Sequence, residues 1–467
     1  MCEIDLGVSS GWVLKGQGSA NVVFGYSGVN VSLVGKVLRV RKLHKCAGVQ
    51  VDDQLTREIW GTAVDVTQDV SQHFASVLLN DKHLLYGVQV QVPAQLLASL
   101  SDQLCSSSSC SSLSTNQRQL LSPAACLLPD CTLFPPSHSA LRATPDVERH
   151  YNTSSSSAPG SAVEPVLCVE IKPKWGLLPT SPAISAEHEV KRHKSRFQLH
   201  QKLKLAQGKI QNSSAYDPLD LFSTDPTRMQ RALRALFACP QNNLKLFLNG
   251  QPVQLSDNVS SVHQVAAVVQ QTLNPCLHLT DTIKALELLA SLLQEVLSTT
   301  GVLQKLLSIQ ALDEHDIAGV YPLYRHVVQQ LESSSTTDAE ASLVAAEHMH
   351  ISALQPHDTY IQQLLDLGWS QQMKILQNYL LATTAKDCSL MIALQAAQQV
   401  YLPHVLEGSG TQLHDNGSPW QIVRGPIPMS RFKLTVVDLD RKHHAKIVAH
   451  HRLDQELVFH ANQGRAY

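Results

Sequence analysis

The chain has 467 residues, 43% of them hydrophobic, enough to bury a large core in two or three structural units. With 37 Lys and Arg against 39 Asp and Glu, its formal net charge is -2, which excludes a whole-molecule field for polyanions, so any basic site is local. The N-terminus, Met1-Cys2-Glu3, carries no basic or apolar leader, no stretch reaches membrane-span length, and ten scattered cysteines suit reduced thiols. The expectation is a soluble protein of the cytoplasm and nucleus.

Trp12 to Val40 predicts an antiparallel N-terminal sheet, because its β-branched runs are punctuated by Gly25, Gly28 and Asn30. A helix is expected near Leu55 to Val64 and a strand over Val88 to Val92. Ser101 to Ser122 lacks periodicity and reads as a mobile insert, as does Tyr151 to Ser161. Val169-Glu170-Ile171-Lys172-Pro173-Lys174-Trp175-Gly176 then delivers a carboxylate and two ammonium groups at the end of an alternating strand. Two apart, Lys172 and Lys174 are expected on one strand face, where they grip one polyanion; the plain alternative is an exposed edge strand with solubilising lysines.

Beyond Lys172 the periodicity turns helical, over Arg196 to Leu205, Arg228 to Ala238, Asp281 to Leu297, Val320 to Leu331 and Tyr360 to Thr384. Met229, Leu233, Leu236 and Phe237 mark one buried face. Glu332 to Glu340 reads as a polar linker. A β-pair, Asp387 to Leu394 with Phe432 to Leu439, precedes a basic, His-rich tail. The fold class is α+β: a β-rich N-terminal lobe, a larger and mainly helical C-terminal lobe, and a cleft between them of the kind that holds nucleotides.

Between Lys172 and Lys209 stand nine Lys or Arg against Glu187 and Glu189. Arg196, His200 and Lys204 follow at i, i+4 and i+8, three cations on one helix face that repel unless an anion lies among them. Gly16-Gln17-Gly18-Ser19-Ala20-Asn21 lies between two strand runs, a turn of small residues whose amides can approach a phosphate. Walker A spacing and the protein-kinase HRD and DFG signatures are missing. Asp438 and Asp440 end an apolar strand, as magnesium-holding carboxylates do, and Asp387 stands at a strand entrance, where an acid can accept a hydroxyl proton. Cys126 and Cys131 with His138, or Cys276 with His278, are incomplete zinc sets. The dispersed histidines are expected mostly at the surface.

In this order the pieces resemble the inositol-pentakisphosphate 2-kinase family from about Trp12 to Lys442. The motifs are Gly16-x-Gly-Ser-Ala-Asn21, Val37-Leu-Arg39, Glu170-Ile-Lys-Pro-Lys174, Arg196-x-x-x-His-Gln-x-Leu-Lys204, Tyr216-Asp-Pro-Leu-Asp-Leu-Phe-Ser223, Gln241-Asn-Asn-x-Lys245, Asp387-Cys-Ser-x-Met391 and Asp438-Leu-Asp440-x-Lys442. The resemblance implies a two-lobed, kinase-like fold with an N-lobe over 1–171 and a C-lobe with inositol-phosphate-binding insertions over 172–467. It implies transfer of the ATP γ-phosphate to the 2-hydroxyl of inositol 1,3,4,5,6-pentakisphosphate, giving inositol hexakisphosphate, with ATP and magnesium as cofactors.

By motif, Gly18, Ser19, Ala20, Asn21 and Arg39 would meet the nucleotide phosphates, while Glu170 and Met391 would border the nucleoside. Lys172 would bridge both ligands, and Asp387 would be the base. Lys174, Arg196, His200, Lys204, Asn242, Asn243, Lys245 and Lys442 would surround the inositol phosphates, and Asp438 and Asp440 would hold magnesium. Plant members carry a zinc site in the C-lobe, so the resemblance leaves a structural zinc open here, without a full ligand set that can be assigned. The expected partner is the inositol phosphate alone, bound by a monomer without nucleic acid or membrane; a non-catalytic inositol-phosphate-binding scaffold is the alternative.

Overall fold

A computed structural model describes residues 5–6, 11–18, 20–43, 51–60, 83–107, 120–134, 165–258, 260–273, 281–335, 356–396, 421–423 and 430–463. The β-branched runs near the N-terminus give β1 (Trp12–Gln17), β2 (Asn21–Tyr26) and β3 (Lys36–Leu43). Trp12, Val22, Phe24, Leu38 and Val40 all point inward. With β4 (Val88–Gln91) and β5 (Leu120–Pro129) they form an antiparallel sheet of order β1-β2-β3-β5-β4. Helix α1 (Val51–Trp60) follows β3, and α2 (Ala94–Ser107) lays Leu96, Leu100 and Leu104 on the sheet's core.

That last helix corrects the reading of Ser101 onward as an aperiodic insert. Its leucines keep a four-residue spacing that the intervening serines obscure, and Ser122 is buried in β5. Residues 108–119 and the second insert, 151–161, lie outside the described residues.

A second sheet is built from β6 (Leu167–Ile171), β7 (Leu244–Leu248), β8 (Gln251–Val253), β9 (Ser389–Ala396), β10 (Gln421–Val423) and β11 (Ser430–Val437). Its order is β10-β11-β9-β6-β7-β8, antiparallel throughout. All five residues of β6 are buried, with β9 on one side and β7 on the other, so the edge-strand alternative fails. Because the strand stops at Ile171, Lys172 and Lys174 do not share a strand face either.

Helices cover this sheet: α3 (Arg196–Ala206), the short α4 (Pro218–Leu221), α5 (Pro226–Ala238), α6 (Ser260–Leu273), α7 (Thr282–Thr300), α8 (Val302–Gln310) and α9 (Asp316–Ser335). Three more complete the set, α10 (Pro356–Leu365), α11 (Trp369–Asp387) and α12 (Lys446–Gln463). Met229, Leu233, Leu236 and Phe237 are buried as their spacing predicts. Of the linker expected over Glu332 to Glu340, residues 332–335 belong to α9, and 336–340 lie outside the described residues. The helix expected over Tyr360 to Thr384 is two, separated where Gly368 takes an extended backbone before α11.

The His-rich tail is largely helix. In α12 and the turn before it, His444 and His450 bond the hydroxyls of Tyr324 and Tyr379 at 3.2 and 3.0 Å, and His451 stacks on Tyr321. These histidines anchor the helix, which is why a surface reading of them misled. Among the described residues no single helix is long and apolar enough to cross a membrane; α7 and α8 pass together but bend 64° at Gly301.

Candidate active site

Six segments converge at one end of the six-stranded sheet. Lys172 is the first residue past β6, and its backbone stays fixed by Asn243, whose carbonyl accepts from Lys172 N at 2.9 Å while its side-chain amide donates to Lys172 O at 3.2 Å. Asn243 is 3% exposed, so it works as a clamp on the Lys172 backbone, and Asn242 beside it faces outward. Pro173 ends the ladder by lacking an N–H, and its carbonyl accepts from Tyr216 Oη at 2.8 Å. Lys174 then takes φ 63°, a left-handed conformation that costs a non-glycine residue about 1–3 kcal/mol and breaks the strand alternation that would have put it on one face with Lys172.

The two lysines consequently meet different acids. Lys172 Nζ pairs with Asp438 Oδ2 at 3.4 Å; Lys174 Nζ donates to Asp387 Oδ1 at 3.2 Å, and Lys442 Nζ donates to Asp387 Oδ2 at 3.0 Å. Asp387 is the last residue of α11, and Asp438 follows β11 with φ 63°. Burial raises the Asp387 pKa, but Lys174, Lys442 and Lys172 together overcome that and bring it down to about 2. For Lys172, desolvation acts downward and is outweighed by Asp438, Glu170 and Asp387, so its pKa is raised and it stays an ammonium.

On the sheet itself Glu170 sits between Met391 and Lys245 as cross-strand neighbours, and Lys245 Nζ lies 3.4 Å from its carboxylate. Lys245 thus stands with Glu170, one strand away from the other lysines. Ser389 Oγ, fully buried, reaches Glu170 Oε1 at 2.9 Å and Asp438 Oδ2 at 3.2 Å; with one proton it donates to one carboxylate at a time.

Helix α3 brings the cationic face. Its start is fixed by a capping box, in which Ser195 Oγ accepts from Gln198 N and Gln198 Oε1 accepts from Ser195 N, an arrangement worth about 1 kcal/mol. Phe197, Leu199 and Leu203 turn inward. Arg196, His200 and Lys204, one turn apart on one face as their spacing predicts, are half-buried among them. Burial first, then Lys204, Arg196, Lys174 and Lys209, push the His200 pKa down to about 4, and burial with Lys174 and Lys209 lowers that of Lys204. Lys174 therefore belongs to this cation cluster as well as to Asp387.

Of the nine cations between 172 and 209, Lys191 is not available to a ligand: it is buried against Asp316 and Asp454. Asp454, on α12, also holds Arg196 at 2.6 Å. Trp175 lies under two cations, the guanidinium of Arg196 4.9 Å and Lys386 Nζ 3.8 Å from its ring centre.

From the N-terminal sheet, Gly18 N closes its turn on Asn21 O at 2.8 Å, and Ala20 is exposed; Ser19 lies outside the described residues. Asn21 Nδ2 donates to Asp440 Oδ2 at 2.6 Å, and Arg39 pairs with the same oxygen. Asp440, just past β11, thus meets two of the phosphate-binding candidates of the N-terminal sheet. Among the described residues no group of three or more His, Cys, Asp or Glu is placed to hold a metal ion; of the zinc candidates, His138, Cys276 and His278 lie outside those residues.

Residues 15–456 match the model of a family described as inositol-pentakisphosphate 2-kinase. The chain belongs to that family. It is accordingly a kinase, a transferase of inositol phosphate metabolism. Among its relatives is the inositol-pentakisphosphate 2-kinase of Oryza sativa subsp. indica, 30% identical over 480 residues that cover 98% of this chain and 95% of that one. The enzyme of that name from Arabidopsis thaliana is 28% identical over 83% of this chain and 82% of its own. One from Danio rerio is 25% identical over 98% and 94%. The family motifs at Glu170 to Lys174, Asp387 to Met391 and Asp438 to Lys442 come from distant parts of the chain and meet at one place. Trp175, Lys209, Ser389 and Asp454 join them; Trp175, Lys209 and Ser389 sit inside or beside motifs, whereas Asp454 carries no signal in its own neighbourhood.

Proposed function

We propose that the protein transfers the γ-phosphoryl group of ATP to the axial 2-hydroxyl of inositol 1,3,4,5,6-pentakisphosphate, yielding ADP and inositol hexakisphosphate. One observation carries the reading: Asp387, with half its side chain exposed, is held between Lys174 and Lys442 at the edge of a cation cluster. A small ring bearing several phosphates needs cations from separate segments, and Lys174, Arg196, His200, Lys204 and Lys442 supply them, with Asn242 on the adjoining turn. Asn243 acts on the substrate through the Lys172 backbone it clamps.

In the free protein Asp387 is a weak base. Phosphates that draw Lys174 and Lys442 toward themselves remove the cause of its low pKa, so its basicity rises as the substrate seats. The 2-hydroxyl proton passes to Asp387, its oxygen bonds the γ-phosphorus, and the bond to the β-bridging oxygen breaks with ADP leaving. Lys172 faces the same space and neutralises charge on the group in flight, in a loose transition state governed by positioning.

Glu170 and Met391 border the nucleoside, and Gly18, Ser19, Ala20, Asn21 and Arg39 meet the nucleotide phosphates. Asp438 and Asp440, both partly exposed, fit magnesium, which is held by one or two carboxylates together with substrate phosphates. Bound there it would neutralise phosphate charge. A kinase-like division into two lobes at 171 and 172, a monomeric state and a cytoplasmic and nuclear location belong to the same proposal.

Purified protein incubated with ATP, magnesium and the pentakisphosphate should form hexakisphosphate, separable by anion exchange. Tight binding of the inositol phosphate without any product would replace the kinase reading with that of a binding scaffold.

A further inference from the structure

Gln310 ends α8 with its residue only 1% exposed, yet its side chain serves no part of that helix. Its Oε1 accepts from Gly176 N at 2.8 Å, and its Nε2 donates to Lys174 O at 2.9 Å and Ala385 O at 3.3 Å. A primary amide has two N–H donors and a carbonyl oxygen with two lone pairs; here both donors and one lone pair are used, and each partner is backbone from a segment that carries a charged group of the site. Lys174 is one such group; Ala385 lies two residues before Asp387 in the last turn of α11. Three residues beyond Gln310, Asp313 forms a buried ion pair with Lys386 at 2.6 Å, and the Lys386 ammonium covers Trp175. One turn between α8 and α9 therefore grips residues 174–176 and 385–386 at once.

Such a grip has a specific use here. Lys174 keeps a left-handed backbone, which persists in a non-glycine residue only when the surroundings hold it, and the bond from Gln310 to its carbonyl is part of that hold. The separation between Lys174 Nζ and Asp387 depends on where these two backbones lie relative to each other, and Gln310 is bonded to both.

We infer that Gln310 is a positioning residue for phosphoryl transfer: its carboxamide sets the spacing of Lys174 and Asp387 by holding the backbone of both segments. The inference rests on the roles proposed above for those two residues. Gln310 itself touches no reacting atom.

The test uses the full chain. Gln310→Met keeps the volume and removes all three bonds, while Gln310→Glu keeps the acceptor for Gly176 and loses both donors. Each should lower kcat roughly 10- to 100-fold while the KM for ATP stays within about twofold. If the effect runs through Lys174, adding Gln310→Met to Lys174→Ala should lower kcat by less than about threefold further. Folded variants with unchanged kcat, parallel losses in kcat and ATP KM, or effects that multiply with Lys174→Ala would overturn it. So would failure of both variants to fold, which makes Gln310 a stability residue. A wild type that binds inositol hexakisphosphate without turnover rejects the kinase reading instead; the same double-mutant cycle on hexakisphosphate affinity then decides the fate of Gln310, additive losses sinking it.

Discussion

Around Lys191, the side chains of Asp316 and Asp454 are 3% and 4% exposed, and Arg196 completes the group through Asp454. Around Asp387, 53% of the side chain is open, and Lys174 and Lys442 reach it from opposite oxygens at 3.2 and 3.0 Å. Both are lysine–aspartate clusters drawn from distant segments, and both lie beside α3. Enclosure separates them. In the first, Lys191, Asp316 and Asp454 are enclosed with one another and out of a ligand's reach, Arg196 alone being shared with the cation face of α3, so the cluster joins α12 to α9 and α3. In the second, water and anions can compete for the lysines, and the carboxylate is free to change its proton.

The largest expected effect lies in the open cluster. Asp387→Ala should reduce turnover by roughly 10²- to 10⁴-fold, the usual contribution of a general base, with inositol phosphate affinity changed by less than about tenfold, or ~1.4 kcal/mol. Retained turnover in a rapid-quench assay removes Asp387 as the base. In the closed cluster, Asp454→Ala leaves Lys191 and Arg196 without a shared acceptor and should cost about 3–5 kcal/mol of stability, read as a lower urea midpoint. A loss below about 1 kcal/mol would place this cluster with ordinary surface pairs.

A smaller effect is expected at Lys204, whose replacement by alanine should weaken inositol hexakisphosphate binding well beyond its effect on ATP binding. Equal losses in titration calorimetry would remove Lys204 from the inositol subsite. The smallest concerns protons. Since the folded pKa of His200 is about 4, below the unfolded value of about 6.5, the unfolded chain binds more protons between those limits, and His200 makes stability rise with pH across that window. A polyanion beside His200 reverses the repulsion from Lys204 and Arg196, so binding near pH ~5.5 should take up protons. His200→Gln should reduce that uptake, measured in buffers of different ionisation enthalpy; unchanged uptake would detach His200 from the ligand.

The open cluster was the more legible of the two. Glu170 to Lys174, Arg196 to Lys204 and Asp387 announce themselves as local charge patterns, and β9 and β11 as apolar runs. The closed cluster did not, because Lys191 and Asp454 stand 263 residues apart and each looks solvated in its own neighbourhood. Periodicity failed where polar residues share a helix with its apolar stripe: serines obscured α2, and histidines obscured α12. The expected shared face of Lys172 and Lys174 failed for a backbone reason, since a left-handed residue after a proline is not visible in side-chain alternation. Gln310 shows the limit most clearly, as an amide at the end of an apolar helix whose bonds all go to segments distant in sequence.

The bond from Arg39 and Asn21 to the single carboxylate of Asp440 bridges 401 and 419 residues. In the proposed function these are the groups that meet nucleotide phosphates and the acid that holds their cation, so the fold supplies a carboxylate of its own to the groups of its nucleotide site. Asp440 is then a tethered rival of the incoming phosphate, present at an effective concentration set by the fold. Nucleotide affinity reports the difference between two ways of satisfying Arg39. Weakening Asp440 would act on both sides of that difference, and a tighter grip on bare ADP without any gain for ATP with its cation is the signature such rivalry leaves.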